Sequence, residues 1–111
     1  MKRNERVLEL LRQMIAVDSE TNTEKEIAME KYLQKLLSHM PGVTGGMIHI
    51  PNDAHDRSVV YGLILGSSKD TVIFMNHHDV VDTETYGSMQ SHAFAPDELL
   101  QDLLQSEKRE D

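Results

Sequence analysis

At 111 residues the chain has the length of one domain, enough to bury roughly two thirds of its unfolded surface. With 11 Lys and Arg against 19 Asp and Glu, the formal net charge of -8 repels phosphate backbones and offers no basic stripe, so nucleic-acid binding is set aside. Cysteine is absent, which excludes disulfides and thiolate metal sites, leaves imidazole and carboxylate as transition-metal ligands, and suits a reducing, cytoplasmic setting. The opening MKRNERVLELLRQMIAV begins basic, but Glu5, Glu9, Arg12 and Gln13 interrupt any apolar run, so neither an export signal nor a membrane span is expected.

From Arg3 to about Val17, Val7, Leu8, Leu11, Met14 and Ile15 recur every three or four positions, the spacing of an amphipathic helix. DSETNT breaks it, and Thr23 with Glu26 forms a capping-box pattern that opens a second helix with Met29, Leu33, Leu36, Leu37 and Met40 on one stripe. Pro41-Gly42 ends that helix. Met47, Ile48 and Ile50 predict a first strand, PNDAHD a turn, and SVVYGLIL (58–65) a second strand. TVIFM, after the loop GSSKD, predicts a third strand covered on both faces, because its apolar residues do not alternate with polar ones. Pro96 then leads into a short helix bearing Leu99, Leu100, Leu103 and Leu104, and the polar tail 106–111 is expected to fray or to lead into a continuation. The expected architecture is a three-layer α/β fragment with a small sheet of about three strands flanked by helices.

The third strand runs into His77, His78 and Asp79, at the strand end where α/β layers place their ligands. Side chains alternate along a strand, so His77 and Asp79 share one side and His78 takes the other. A metal-bound histidine commonly gives its second ring N–H to a carboxylate, which fixes the tautomer. His77 as ligand and Asp79 as its orienter is one reading; a His–Asp pair hydrogen-bonded on a solvated loop is the plainer one, since H-x-D is common by chance. His39, His49, His55 and His92 lack ligand spacing with His77 and read as surface histidines, and His78 reads as a packing or hydrogen-bonding residue and not a ligand. Glu84, Asp97 and Glu98 read as solvated acids, and the seven methionines as core filler.

Taken together, DTVIFMNHHDVVDTETYG resembles the first metal motif of the zinc-dependent aminoacylase, desuccinylase and carboxypeptidase superfamily, in which a hydrophobic strand precedes H-x-D-x-V. The two opening helices and VDSETNTEKEIAMEKYLQKLL resemble that superfamily's amino-terminal region, so the likeness covers nearly the whole chain. Within it, KDTVI, the DVVD exit, the following YG and an AFxP segment before a helix are most similar to the branch of the arginine-utilisation protein RocB. Asn76 and Asp82 stand where most of the superfamily has Gly and Pro.

The resemblance implies a zinc exopeptidase-like catalytic domain in which two zinc ions, bridged by a water and an Asp, polarise an amide carbonyl while a Glu acts as general base. It assigns His77 as a metal ligand and Asp79 as the residue that orients it. The bridging-Asp motif, of GRGxxDMK type, and the Glu-Glu pair do not occur in this sequence. The chain is therefore expected to be the amino-terminal part, spanning 1–111, of an enzyme acting on an N-acyl amino acid or peptide, with arginine catabolism as a setting implied by the resemblance. On its own it is expected to be inactive and to hold no tightly bound zinc. The alternative is a standalone, non-catalytic α/β binding or regulatory module. An uncovered third strand would further favour self-association, most simply as a two-fold homodimer.

Overall fold

The computed structural model describes residues 2–110 and is mixed α/β. In chain order it contains helices α1 (Arg3–Ile15) and α2 (Glu26–Ser38), strands β1 (Thr44–His49) and β2 (Ser58–Leu63), a 3-10 segment (Glu84–His92) and helix α3 (Pro96–Glu110). Two compact units divide the chain: Ser19–Val80 forms one, and Met1–Asp18 with Val81–Asp111 forms the other. Among the described residues no helix is long and apolar enough to cross a membrane.

In the Ser19–Val80 unit, local side-chain chemistry sets where α2 starts. The Thr23 hydroxyl donates to the Glu20 carbonyl at 2.7 Å and accepts the Lys25 N–H at 3.2 Å, while the Glu26 carboxylate accepts the Asn22 N–H at 3.0 Å. The expected capping box is not formed: the helix begins at Glu26 after Lys25, with no side-chain cap hydrogen bond, and Glu26 reaches back to Asn22 and not to Thr23. Past its end, Gly42 takes a φ of 75°, the left-handed conformation that glycine adopts without a Cβ penalty.

Strands β1 and β2 pair antiparallel, with Thr44 opposite Leu63 and His49 opposite Ser58. The turn between them is held by Asp53, whose carboxylate accepts the N–H groups of His55 at 3.0 Å and Arg57 at 3.1 Å. Helix α2 packs on this hairpin. A Cβ at Gly62 would lie 3.2 Å from Leu37 Cδ2, so the missing side chain lets the helix come close. The buried residues of α2 are Glu26, Met29 and Glu30, and Glu30, which is 1% exposed, accepts the Ser58 N–H at 2.9 Å. Glu30→Ala would strand that N–H, and we expect a loss of about 1–3 kcal/mol in urea unfolding. Glu30→Gln, which keeps an acceptor, should recover most of it.

The third strand is not formed. Residues 64–79 carry no strand, and Val72, Ile73, Phe74 and Met75 are 76–88% exposed, so the expected cover on both faces is absent and the sheet has two strands, not three. The physical reason is pairing: a β conformation is held by a ladder, β1 and β2 satisfy each other, and no described segment offers TVIFM a partner. The continuous apolar run expresses a tendency to be buried that the 111 residues do not meet. Within this unit the layers are one helix on one hairpin, not three.

In the other unit, α1 has the predicted apolar spacing but leaves Val7, Leu8 and Leu11 half exposed. Arg12 Nε lies 3.3 Å from Asp97 Oδ1. Pro96 opens α3 as expected, but the helix continues to Glu110 through most of the polar tail, in keeping with the good helix formers Glu107 and Lys108. Asp111, the last residue of that tail, lies outside the described residues.

Candidate functional site

The segment that carries His77 is anchored by Ser19–Thr21, in the same unit. Ser19 is fully buried, and its hydroxyl donates to the His78 carbonyl at 2.8 Å. The Val80 N–H donates to the Ser19 carbonyl at 3.0 Å and the Thr21 N–H to the Val80 carbonyl at 2.8 Å, forming a parallel bridge between Glu20 and Val80. These bonds straighten residues 78–80, and the alternation expected of a strand survives locally. His77 projects into solvent with its side chain 85% exposed, whereas His78 buries Nδ1, which has no hydrogen-bond partner among the described residues.

His77 Nδ1 lies 3.0 Å from Asp79 Oδ1 and 3.1 Å from the Asp79 carbonyl oxygen. Both partners are acceptors, so Nδ1 carries the proton in the neutral ring and Nε2 is left with a bare lone pair. Asp79 is itself held: a hydrogen bond from the Thr21 side chain, joined by the one from His77, keeps its carboxyl below the usual range despite some opposing desolvation. An ionised carboxylate, an oriented imidazole and an outward-facing nitrogen are thus assembled by residues 19–21 and 77–79. The sequence alone marked His77 and Asp79 but not Ser19 or Thr21, whose only signal was the Ser/Thr content of the helix-breaking DSETNT.

Behind the pair lies a shallow pocket of about 340 Å³ lined by residues that include Glu26, Glu30, Arg57 and Asn76. The Arg57 guanidinium lies there among the carboxylates of Glu26, Glu30 and Asp79. The guanidinium donates to both Asp53 oxygens, from Nε at 2.9 Å and NH2 at 2.7 Å, and to Glu26 Oε2 from NH1 at 2.9 Å. These bonds drive the Asp53 carboxyl far below its ordinary range and raise Arg57 above its own. Two of the nearby carboxylates are therefore already engaged by one guanidinium. Among the described residues no group of three or more His, Asp or Glu could hold a metal ion. His77 fits a single ligand position, and the set present here does not complete a site.

The remaining histidines are dispersed. His39 Nδ1 lies 2.7 Å from the Lys35 carbonyl on an exposed surface. His92, read from sequence as a surface histidine, is partly exposed but pairs its Nδ1 with Asp102 Oδ2 at 2.6 Å, in the other unit. That pair lines a hollow of about 250 Å³ with Ser88, Met89, Gln105 and Ser106. Ten residues and a turn separate the two partners, so no sequence spacing announces them. Of the acids read as solvated, Asp97 meets Arg12, and Glu84 is exposed.

No family model matches the chain, and no solved structure matches it. The chain is similar to the uncharacterized protein YqjN of Bacillus subtilis (strain 168), at 34% identity over 112 residues. The alignment takes in 94% of this chain but 19% of that relative, so the chain spans about a fifth of the length of the curated protein it matches.

Proposed function

We propose that this chain supplies the first metal ligand of a zinc-dependent amidohydrolase or peptidase of the aminoacylase, desuccinylase and carboxypeptidase type, nearest to its RocB-like branch. The observation that carries the proposal is the His77–Asp79 pair: with Nδ1 donating to Asp79, Nε2 is exposed and available, as a metal-bound histidine requires. The other ligands and the general base belong to a longer protein, a view supported by the much greater length of the relative. Zinc in such a site polarises an amide carbonyl and acidifies its bound water. This chain's residues hold the proton on His77 Nδ1, keep Asp79 ionised through Thr21, and brace the backbone through Ser19. In that longer protein the small sheet belongs to a three-layer α/β catalytic domain, and the substrate is an N-acyl amino acid or a peptide, in the cytoplasm.

The incomplete ligand set also suits a second reading, a non-catalytic binding or regulatory module. One experiment separates them. The 111-residue chain should hold no stoichiometric zinc and hydrolyse no N-acyl amino acid or dipeptide, while the longer protein should hydrolyse such an amide, lose activity to a chelator and regain it with zinc. Two tightly held zinc ions on the 111-residue chain, or metal-independent activity of the longer protein, would refute the proposal.

A further inference from the structure

Among the described residues the buried polar ones are Ser19, Glu26 and Glu30. Two of these are matched, since Ser19 donates to the His78 carbonyl and Glu26 accepts from Arg57. Glu30 lacks a comparable partner. Its Oε1 accepts the Ser58 N–H, yet no ion pair joins this enclosed carboxyl group to a cation among the described residues. The Arg57 guanidinium, which lines the same pocket, donates instead to Asp53, Glu26 and Asn22. A buried carboxylate is costly unless a cation stands against it. His78, whose buried Nδ1 also has no hydrogen-bond partner among the described residues, lines that pocket too. Buried polar groups are ordinarily paired, so two such shortfalls at one cavity mark it as a place that takes up a ligand.

We infer that this pocket, which lies wholly within the Ser19–Val80 unit, binds a primary ammonium on a short aliphatic stem, with the Glu30 carboxylate as its anchor. The sign of the ligand follows from the lining: the acids Glu26, Glu30 and Asp79 outnumber Arg57, whose guanidinium is already engaged. A metal cation is disfavoured, because no group of three or more His, Asp or Glu is gathered among the described residues. An ammonium also suits Glu30 better than a guanidinium does. One oxygen already accepts the Ser58 N–H, which leaves room for a point-like donor and hinders the paired contact that a guanidinium fork makes with two free oxygens. The stem is assigned from Ile50 and Val59, which line the pocket and are left exposed. The volume of about 340 Å³ falls within the roughly 300–1,000 Å³ usual for small-molecule sites. The inference uses no metal, so its failure would leave the zinc reading standing, and the reverse also holds.

The test is a titration of the 111-residue chain with n-butylammonium at fixed ionic strength, followed through the backbone amide resonances of Ser58 and Val59. Saturable shifts are expected, with the roughly millimolar affinity of so small a ligand. The neutral 1-butanol, which has the same stem, should bind at least about tenfold more weakly. Glu30→Gln should cost a similar factor while keeping the parent's circular dichroism, because the amide oxygen still accepts the Ser58 N–H. Glu107→Gln, at an exposed acid of the other unit, should change nothing and so controls for the general attraction of a chain of net charge -8. In the longer protein, saturation transfer to n-butylammonium should be seen and should disappear with Glu30→Gln. No shift at Ser58 and Val59, equal binding of the amine and the alcohol, or an effect of Glu107→Gln as large as that of Glu30→Gln would overturn the inference. So would binding by the 111-residue chain but not by the longer protein, since the pocket would then be filled by the remainder of that protein.

Discussion

His77→Ala, made in the longer zinc enzyme proposed above, should depress metal content and turnover together, because on that proposal it deletes a metal–nitrogen bond, and the described residues hold no group of three or more His, Asp or Glu to replace it. Asp79→Asn should be milder for metal and still severe for activity. An Asn oxygen can accept from His77 Nδ1, but without the charge that raises the basicity of Nε2, and such outer changes commonly cost about 10- to 100-fold. Thr21→Val should fall between Asp79→Asn and the parent, since it removes the hydrogen bond that contributes most to holding Asp79 ionised. His78→Ala should do least. Its Nδ1 is buried without a partner among the described residues, so its loss takes away an unsatisfied polar atom and no bond from that nitrogen. Metal analysis and initial rates on the four variants give the order directly, and His78→Ala equal in effect to His77→Ala would remove the distinction between the two rings.

Arg57→Ala should be the most damaging change to the Ser19–Val80 unit. The side chains of Glu26 and Asp53 are each 9% exposed and share one guanidinium, so alanine would leave two carboxylates close together with no cation between them. The hairpin turn depends on the same Asp53, which caps the N–H groups of His55 and Arg57. A large fall in melting temperature is expected. Arg57→Lys should not restore it, because one ammonium cannot donate in parallel to both Asp53 oxygens and also reach Glu26. The pH dependence has a definite sign. The native Asp53 carboxyl titrates below its unfolded value, so the stabilisation it confers is complete above the unfolded range, near about pH 4, and is lost as pH falls toward the native value. Urea midpoints measured from neutral pH down into the acid range should therefore decline steeply for the parent chain and more shallowly for Arg57→Ala.

Periodicity was a sound guide wherever an element could satisfy itself. Helices α1 and α2 fall where Val7 to Ile15 and Met29 to Leu37 predict them, and the hairpin joins the two runs around PNDAHD. It failed at TVIFM, because an apolar run states a need for cover but cannot say whether the chain contains the cover. It also understated α3, where the polarity of SEKRED suggested fraying although several of its residue types favour helix. The His77–Asp79 contact was legible because two residues apart on an extended backbone is a local relationship. The Ser19 and Thr21 braces, the Arg57 hub on Glu26 and the His92–Asp102 pair were not, because each joins positions whose proximity is created by folding.

The most direct measurement is the coordination shell of zinc in the longer protein, from an anomalous-scattering crystal structure with X-ray absorption on the same sample. His77 Nε2 should lie about 2.0–2.1 Å from a zinc ion, with Nδ1 still donating to Asp79. A fully occupied zinc site with His77 outside its coordination shell would contradict the assignment on which the proposed function rests.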